Sequence, residues 1–259
     1  RVSGSSVGDD GLFVLVFKDQ SEVRRIDRMR ADFIANASHE LRTPLASVAG
    51  FIETLRGPAR DDPKAREQFL EIMQTQAGRM ARLLDDLLSL SRLEMKPRLD
   101  GGQRVDLGSV VTAVVDALAP MADEAKVAVQ VKLPDQPVIV TGDRDELLQV
   151  VQNLVENACK YGRTGQRVII ELGRDAEGGA ELSVTDFGRG IAAEHIPRIT
   201  ERFYRIEAQN GRPEKGTGLG LAIVKHILAR HNARLLVQSE PDKETRFSVH
   251  FPQQIQPPV

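Results

Sequence analysis

Two long helical patterns in succession, each with a narrow apolar stripe, limit this chain more than any other feature. From about Gln20 to Leu55, at roughly 100° per residue, Ile26, Phe33, Ala37, Leu41, Val48, Ile52 and Leu55 share one face. The pattern stops at Gly57-Pro58, and a second one from about Pro63 to Met95 carries Phe69, Ile72, Met80, Leu83, Leu87 and Leu90. Two such helices with a short break form an antiparallel hairpin. The hairpin has an apolar seam and no third helix to cover it, so a second copy of the chain is the natural cover and a dimeric four-helix bundle the expected result. Packing of the seam against the C-terminal half is the alternative.

His39 falls on nearly the opposite face from the stripe, which presents an imidazole to solvent and partners. Glu40 follows it directly, and a neighbouring carboxylate can orient an imidazole and hold its charge state near the working pH. Thr43, one turn on, shares the histidine's face. A lone exposed histidine is ordinarily a plain surface residue; the residues around this one shift that reading.

Composition narrows the class. Lys plus Arg number 35 against 37 Asp plus Glu, so no polyanion partner is implied and nucleic-acid binding starts from a low prior. Cys159 is the single cysteine, which excludes an internal disulfide, favours a reducing compartment and reads as a buried, inert thiol. No apolar run approaches the roughly 18 to 20 residues of a membrane span, the longest being Leu12 to Phe17. The sequence starts at Arg1 without a signal peptide and is expected to be a cytoplasmic piece of something longer, with no membrane contact of its own.

Gly11 to Lys18 reads as one strand with no partner nearby, behind a Gly/Ser-rich stretch expected to be mobile. Pro97 to Arg104 (PRLDGGQR) reads as a linker. Beyond it the pattern alternates. Helices are expected near Leu107 to Glu124, Arg144 to Tyr161, Ala193 to Thr200 and Leu219 to His231. Strands are expected at Val127 to Leu133, Val138 to Thr141, Arg167 to Gly173, Ala180 to Thr185, Arg234 to Ser239 and Arg246 to Phe251. Strands outnumber crossover helices, which favours an α/β sandwich, one sheet covered on one face, over a doubly wound fold.

Along Arg144 to Tyr161, Leu147, Val151, Leu154 and Ala158 form a buried stripe, while Asn153, Asn157 and Lys160 line its edge. That edge is either a polar helix flank or a place where amide oxygens and an ammonium meet a hydrated Mg²⁺ and phosphates. Asp186-Phe187-Gly188-Arg189-Gly190 follows a strand, which sets a carboxylate at a strand end where it can accept a hydrogen bond from an adenine amine. Gly216-Thr217-Gly218-Leu219-Gly220-Leu221 opens a helix whose free N–H groups favour phosphate oxygens. It matches neither the P-loop nor the dinucleotide fingerprint. Between these glycine motifs lie Glu201-Arg202-Phe203-Tyr204-Arg205 and a polar segment, Glu207 to Lys215, with the character of a lid.

In this order, behind a hairpin bearing SHELRTPL, the motifs resemble the sensor histidine kinases of two-component signalling over about residues 20 to 252. The details HIPRITERFYRIE and LAIVKHILARH look most like the phosphate-regulon sensor kinases. The resemblance implies a multidomain α and α+β protein: a remnant of a PAS-like sensor domain and linker (1–20), a dimerisation and phosphotransfer domain (21–96), a linker (97–104), an ATP-binding sandwich of the type shared with gyrase, Hsp90 and MutL (105–252) and a disordered tail (253–259).

It also implies roles for particular residues. His39 is the phosphoacceptor, Glu40 its orienting base and Thr43 the residue that positions water for regulator dephosphorylation. ATP is expected to meet Asn153, Asn157, Lys160, Tyr161, Asp186, Gly188, Gly190, Arg202, Arg205, Gly216, Thr217, Gly218, Leu219 and Gly220. Mg²⁺ is expected at Asn157, with Asn153 and Glu156 as further candidates. Phe187 and Thr200 depart from the family's usual residues without touching an expected ligand group. The implied activity is autophosphorylation of His39 by ATP and transfer to an aspartate of a response regulator, with phosphatase activity besides and phosphate starvation as the setting. The implied whole protein is a homodimer anchored in the inner membrane. The alternative is an ATP-gated dimeric scaffold that docks a regulator without transferring phosphate.

Overall fold

The hairpin forms because its break is capped on both sides. Helix α1 (Ser21–Arg56) ends where the Gly57 and Ala59 N–H groups both donate to the Thr54 carbonyl, at 3.3 and 2.9 Å. Asp62 then accepts the Lys64 and Ala65 N–H groups at 3.0 Å each, and Pro63 takes the first helical position of α2 (Pro63–Met95). A computed structural model of the chain describes residues 2–7, 12–17, 21–97, 99, 102–175, 177–206 and 216–253, with side chains from residue 31 onward. The polar segment Glu207 to Lys215, the tail beyond Gln253 and the Ile26 side chain therefore lie outside the described residues.

The chain divides into two compact units, Arg1–Ala81 and Arg82–Val259. In the first, Phe51 of α1 stacks on Phe69 of α2 with ring centroids 5.1 Å apart. Phe33, Ala37, Leu41, Val48 and Leu55 are half-buried, and Ile52 is 42% exposed. At that level the larger Phe51 ring makes the contact and leaves Ile52 outward. The strand expected alone at residues 11–18 is paired: β2 (Leu12–Phe17) runs antiparallel to β1 (Val2–Val7), with Val2 opposite Phe17 and Val7 opposite Leu12. Ladder hydrogen bonds are made by backbone, so the Gly/Ser-rich stretch serves as the partner despite its low β-propensity.

The second unit carries β3 (Gln103–Asp106), α3 (Leu107–Ala125), β4 (Ala128–Lys132), β5 (Ile139–Gly142), α4 (Arg144–Tyr161), β6 (Arg167–Arg174), β7 (Ala180–Asp186), α5 (Gly220–Arg230), β8 (Arg234–Glu240) and β9 (Glu244–Phe251). A five-stranded sheet of order β4-β6-β7-β9-β8 is antiparallel except between β4 and β6. Its inward residues, among them Val168, Ile170, Leu182, Val184 and Val249, are buried with Leu147, Val151 and Leu154 of α4 and Ile223 and Ile227 of α5. The helices cover one face, as the alternation of buried and less buried residues along β6 requires.

Three expectations are corrected here. The strand near 138–141 does not join the main sheet; it pairs with β3, whose Gln103 and Arg104 fall inside the segment read as a linker. Residues 193–200 form successive turns rather than a helix. Pro197 has no N–H to donate to the Ala193 carbonyl, so helical bonding is interrupted there and only a local turn remains, in which the His195 carbonyl accepts from Arg198 and Ile199. Cys159 is buried, and burial pushes its thiol up to about 11, as an inert structural thiol requires. No described helix is long and apolar enough to cross a membrane.

Candidate active site

In the first unit, His39 is exposed on α1. The carboxylate of Glu40 is turned to the second helix of the hairpin, where Arg79 Nη2 donates to Glu40 Oε2 at 2.8 Å. About a third of each of these side chains remains exposed. A pair this open contributes ~0–1 kcal/mol to stability, so its importance is positional. Thr43 Oγ1 donates to the His39 carbonyl at 3.4 Å, which holds the hydroxyl along α1 one turn from the imidazole. Pro44 follows and lacks an N–H, so the Glu40 carbonyl loses the donor it would meet four residues on. His39 is thus presented on an open helix face with the neighbouring Glu40 carboxylate anchored across the hairpin.

In the second unit, α4 is the element on which the separate sequence motifs converge. Asp143 caps its start by accepting the Asp145 and Glu146 N–H groups at 3.0 and 3.2 Å. Its buried stripe, Leu147, Val150, Val151, Leu154, Val155 and Ala158, faces the sheet. Asn153, Glu156, Asn157 and Lys160 are left half-buried along its edge.

Close backbone approaches join the other motifs to that edge. A Cβ on Gly220 would lie 2.6 Å from Asn153 Oδ1, and one on Gly216 would lie 2.9 Å from Lys160 Nζ. A Cβ on Gly188 would come within 2.1 Å of the Tyr161 carbonyl. The glycines are therefore required by contact as well as by conformation, although Gly190 and Gly218 also adopt φ of +68° and +72°. The Phe203 N–H donates to the Gly218 carbonyl at 2.9 Å, and Phe203 itself sits at φ +61°, a strained conformation for a non-glycine residue. Arg202–Arg205 and Gly216–Gly220 are thereby clasped together.

Asp186, at the end of β7, is 3% exposed, and one of its oxygens accepts the Gly188 N–H at 3.0 Å. Burial raises its carboxyl to about 6 against this hydrogen bond, which opposes the rise. A buried carboxylate with acceptor capacity to spare suits a ligand amine. Lys160 Nζ donates to Tyr161 Oη at 2.6 Å and lies over its ring, and the Arg189 guanidinium is 5.8 Å from the same ring. The half-buried Phe187 carries the Arg167 guanidinium on its face at 4.0 Å.

Asn153 donates from Nδ2 to the Gln149 carbonyl at 2.9 Å, which turns its amide oxygen away from the helix toward Gly220. Among the described residues no three His, Cys, Asp or Glu side chains gather as a metal cage. A cation here would therefore share the amide oxygens of Asn157 and Asn153 and the Glu156 carboxylate with ligand phosphates and water. That donor set fits Mg²⁺, which takes few protein oxygens.

Sequence reasoning missed three neighbours of the site. Thr245 of β9 lies opposite Asp186 in the ladder and is buried, its hydroxyl 2.9 Å from that of Ser239. Asp86 of α2 accepts the Thr217 hydroxyl at 2.7 Å, and Glu94 pairs with Arg202. Nothing local in the sequence marks these partners.

Comparison with known proteins agrees with this geometry. Residues 29–96 match the His Kinase A (phospho-acceptor) domain, and residues 142–255 match the histidine kinase-, DNA gyrase B- and HSP90-like ATPase family. The chain thus carries, in order, the phospho-acceptor domain and the ATPase domain of histidine kinases. It is 41% identical over 92% of its length to the phosphate regulon sensor protein PhoR of Pseudomonas aeruginosa, covering 53% of that protein. It is 38% identical over 95% of its length to the sensor-like histidine kinase SenX3 of Mycolicibacterium smegmatis, covering 63% of that protein. The chain thus spans between half and two-thirds of these relatives. The solved structure of histidine kinase AdeS of Acinetobacter baumannii aligns with a TM-score of 0.64 at 26% identity, over 82% of this chain and 96% of that one.

Proposed function

We propose that the chain is the kinase core of a two-component sensor, in which ATP phosphorylates His39 and the phosphoryl group passes to an aspartate of a response regulator. The observation that carries this reading is the pairing, in one chain, of an exposed His39 beside an anchored carboxylate with a buried Asp186 and glycine motifs packed against the edge of α4. Asp186 accepts the adenine amine, and Lys160, Arg202 and Arg205 supply positive charge for the phosphates. The N–H groups opening α5 meet phosphate oxygens.

The neutral imidazole nitrogen of His39 attacks the γ-phosphorus. A P–N bond forms as the bond to the ADP oxygen breaks, and the imidazole proton passes to Glu40. Positioning and charge neutralisation carry such a loose transition state. Arg79 acts as a positioning residue by fixing Glu40. Asn157, with Asn153 and Glu156 beside it, would hold a Mg²⁺ ion, whose charge would offset that of the phosphates. Thr43 presents a hydroxyl suited to placing water against the regulator's aspartyl phosphate.

The dimer is part of this proposal. Ile34, Leu45 and Ile52 are 65, 58 and 42% exposed, and at roughly 100° per residue they fall within about 20° of one another on α1. Leu70 of α2 is also open. A second hairpin would cover this apolar surface as a four-helix bundle. The likeness to a phosphate regulon sensor protein supports phosphate starvation as the signal; a membrane anchor in the whole protein, with this part in the cytoplasm, belongs to the same proposal.

Incubation with γ-labelled ATP, followed by addition of the host's response regulators, tests the activity. The label is expected to enter the chain and then chase to one regulator. An ATP-gated scaffold would bind a regulator and stay unlabelled.

A further inference from the structure

Two groups of the expected nucleotide site, Thr217 and Arg202, are held by carboxylates of the chain itself. Within the unit Arg82–Val259, Asp86 Oδ2 accepts the Thr217 hydroxyl at 2.7 Å. Glu94 pairs with the Arg202 guanidinium and lies 3.9 Å from His226 Nε2. Between them, Ser89 and Gln149 exchange hydrogen bonds at 2.9 and 3.2 Å, and beyond Glu94, Lys96 pairs with Glu146 at 3.0 Å. Leu83, Leu90 and Leu93 on this stretch are buried, so the polar contacts belong to a packed interface rather than to loose surface side chains.

A carboxylate is the side-chain group nearest to a phosphate in its recognition: two anionic oxygens that accept from hydroxyls and from the guanidinium fork. Thr217 is not a remote bystander, because its Oγ1 also accepts the Leu219 N–H at 3.3 Å, at the opening of α5 where anions are favoured. Burial pushes the Asp86 carboxyl above its ordinary value, with the Thr217 hydrogen bond opposing that rise, so the desolvated anion depends on this donor.

Resting on the ATP reading, we propose that Asp86 and Glu94 compete with the nucleotide's phosphates for Thr217 and Arg202, so that docking of Arg82–Met95 and binding of a triphosphate oppose each other. Each event then weakens the other by the same factor. Nucleotide binding releases this stretch of α2, and whatever tightens the stretch lowers nucleotide occupancy.

Titration calorimetry with the magnesium complex of AMP-PNP, with ADP and with adenosine tests the competition. The double variant Asp86→Ala with Glu94→Gln is expected to bind AMP-PNP about tenfold tighter than the parent, with ADP tightening as well and adenosine unchanged. Asp85→Asn, which removes one carboxylate charge one residue from Asp86, is expected to leave all three affinities nearly as they were.

In the unaltered chain, AMP-PNP is expected to speed amide exchange across residues 82–95, a measurement that needs no variant. Equal or weaker AMP-PNP binding by the double variant, equal tightening toward adenosine, a matching gain in Asp85→Asn, or slower exchange with nucleotide would each overturn the proposal. Failure of the ATP reading looks different: neither protein would bind any nucleotide, or binding would survive Asp186→Ala.

Discussion

Asn153 Oδ1 and Gly220 approach so closely that a Cβ on the glycine would lie 2.6 Å from the amide oxygen. The oxygen is not free to retreat without loss, since the same amide donates to the Gln149 carbonyl. Gly220→Ala should therefore displace the Asn153 amide and lower affinity for Mg·ATP about tenfold, a change of ~1.4 kcal/mol. The Tm without nucleotide should move by no more than ~4 °C, because one methyl group meets a movable side-chain end. Calorimetric titration and a thermal melt of the same sample check both halves.

Arg79→Ala should slow autophosphorylation about three- to tenfold by releasing Glu40, the base beside His39. Stability should change little, since a partly exposed ion pair contributes ~0–1 kcal/mol. Arg79→Lys should restore much of the rate. Initial rates of label incorporation, read beside melts of the three proteins, separate a positioning role from a purely structural one.

Asp186 connects function to pH. Its carboxyl titrates at about 6 in the fold against an ordinary 3.8, so the folded state holds this proton more tightly than the unfolded chain does. The stability from that preference is fully present below pH ~4 and lost as pH rises through about 6. Asp186→Asn retains an acceptor for the Gly188 N–H. It should stabilise the nucleotide-free protein by about 1–3 kcal/mol at pH 8 and by nothing at pH ~4, while abolishing nucleotide binding. Denaturant melts at the two pH values read the sign directly.

Thr43→Ala should separate two activities. The hydroxyl lies one turn from His39 and bonds to its carbonyl at 3.4 Å, a contact too long to matter much to the helix. Most autophosphorylation should survive, and dephosphorylation of the regulator should slow about tenfold or more. Equal loss of both rates would show that Thr43 supports the shape of α1 instead.

Helix α4 was legible at both ends because its signals are local: an Asp143 cap, a 3.6-residue apolar period, and Gly162 beyond Tyr161. The main-sheet strands were legible for the same kind of reason, with period-2 alternation between turn residues. What escaped were pairings set by tertiary contact. The ladder of β1 with β2 uses a stretch of poor β-propensity, and β3 hides in a glycine-rich run because its partner β5 lies more than 30 residues on. The site shows the same division. Asp186 and the glycine motifs announce themselves by type and spacing, whereas Asp86 meets Thr217 across 131 residues, Arg79 meets Glu40 across 39, and Thr245 reaches Asp186 only through a strand pair.

The central claim is that this chain moves the γ-phosphoryl group of ATP onto His39. Incubating the parent and His39→Gln proteins with γ-labelled ATP and Mg²⁺, then locating the label by acid and base treatment and by fragment mass spectrometry, tests it most directly. The account predicts an acid-labile, base-stable label confined to His39 in the parent and missing from the variant, with the affinity for Mg·AMP-PNP unchanged between them. A label of the same stability persisting in His39→Gln, or a parent that binds nucleotide and never becomes labelled, would contradict it.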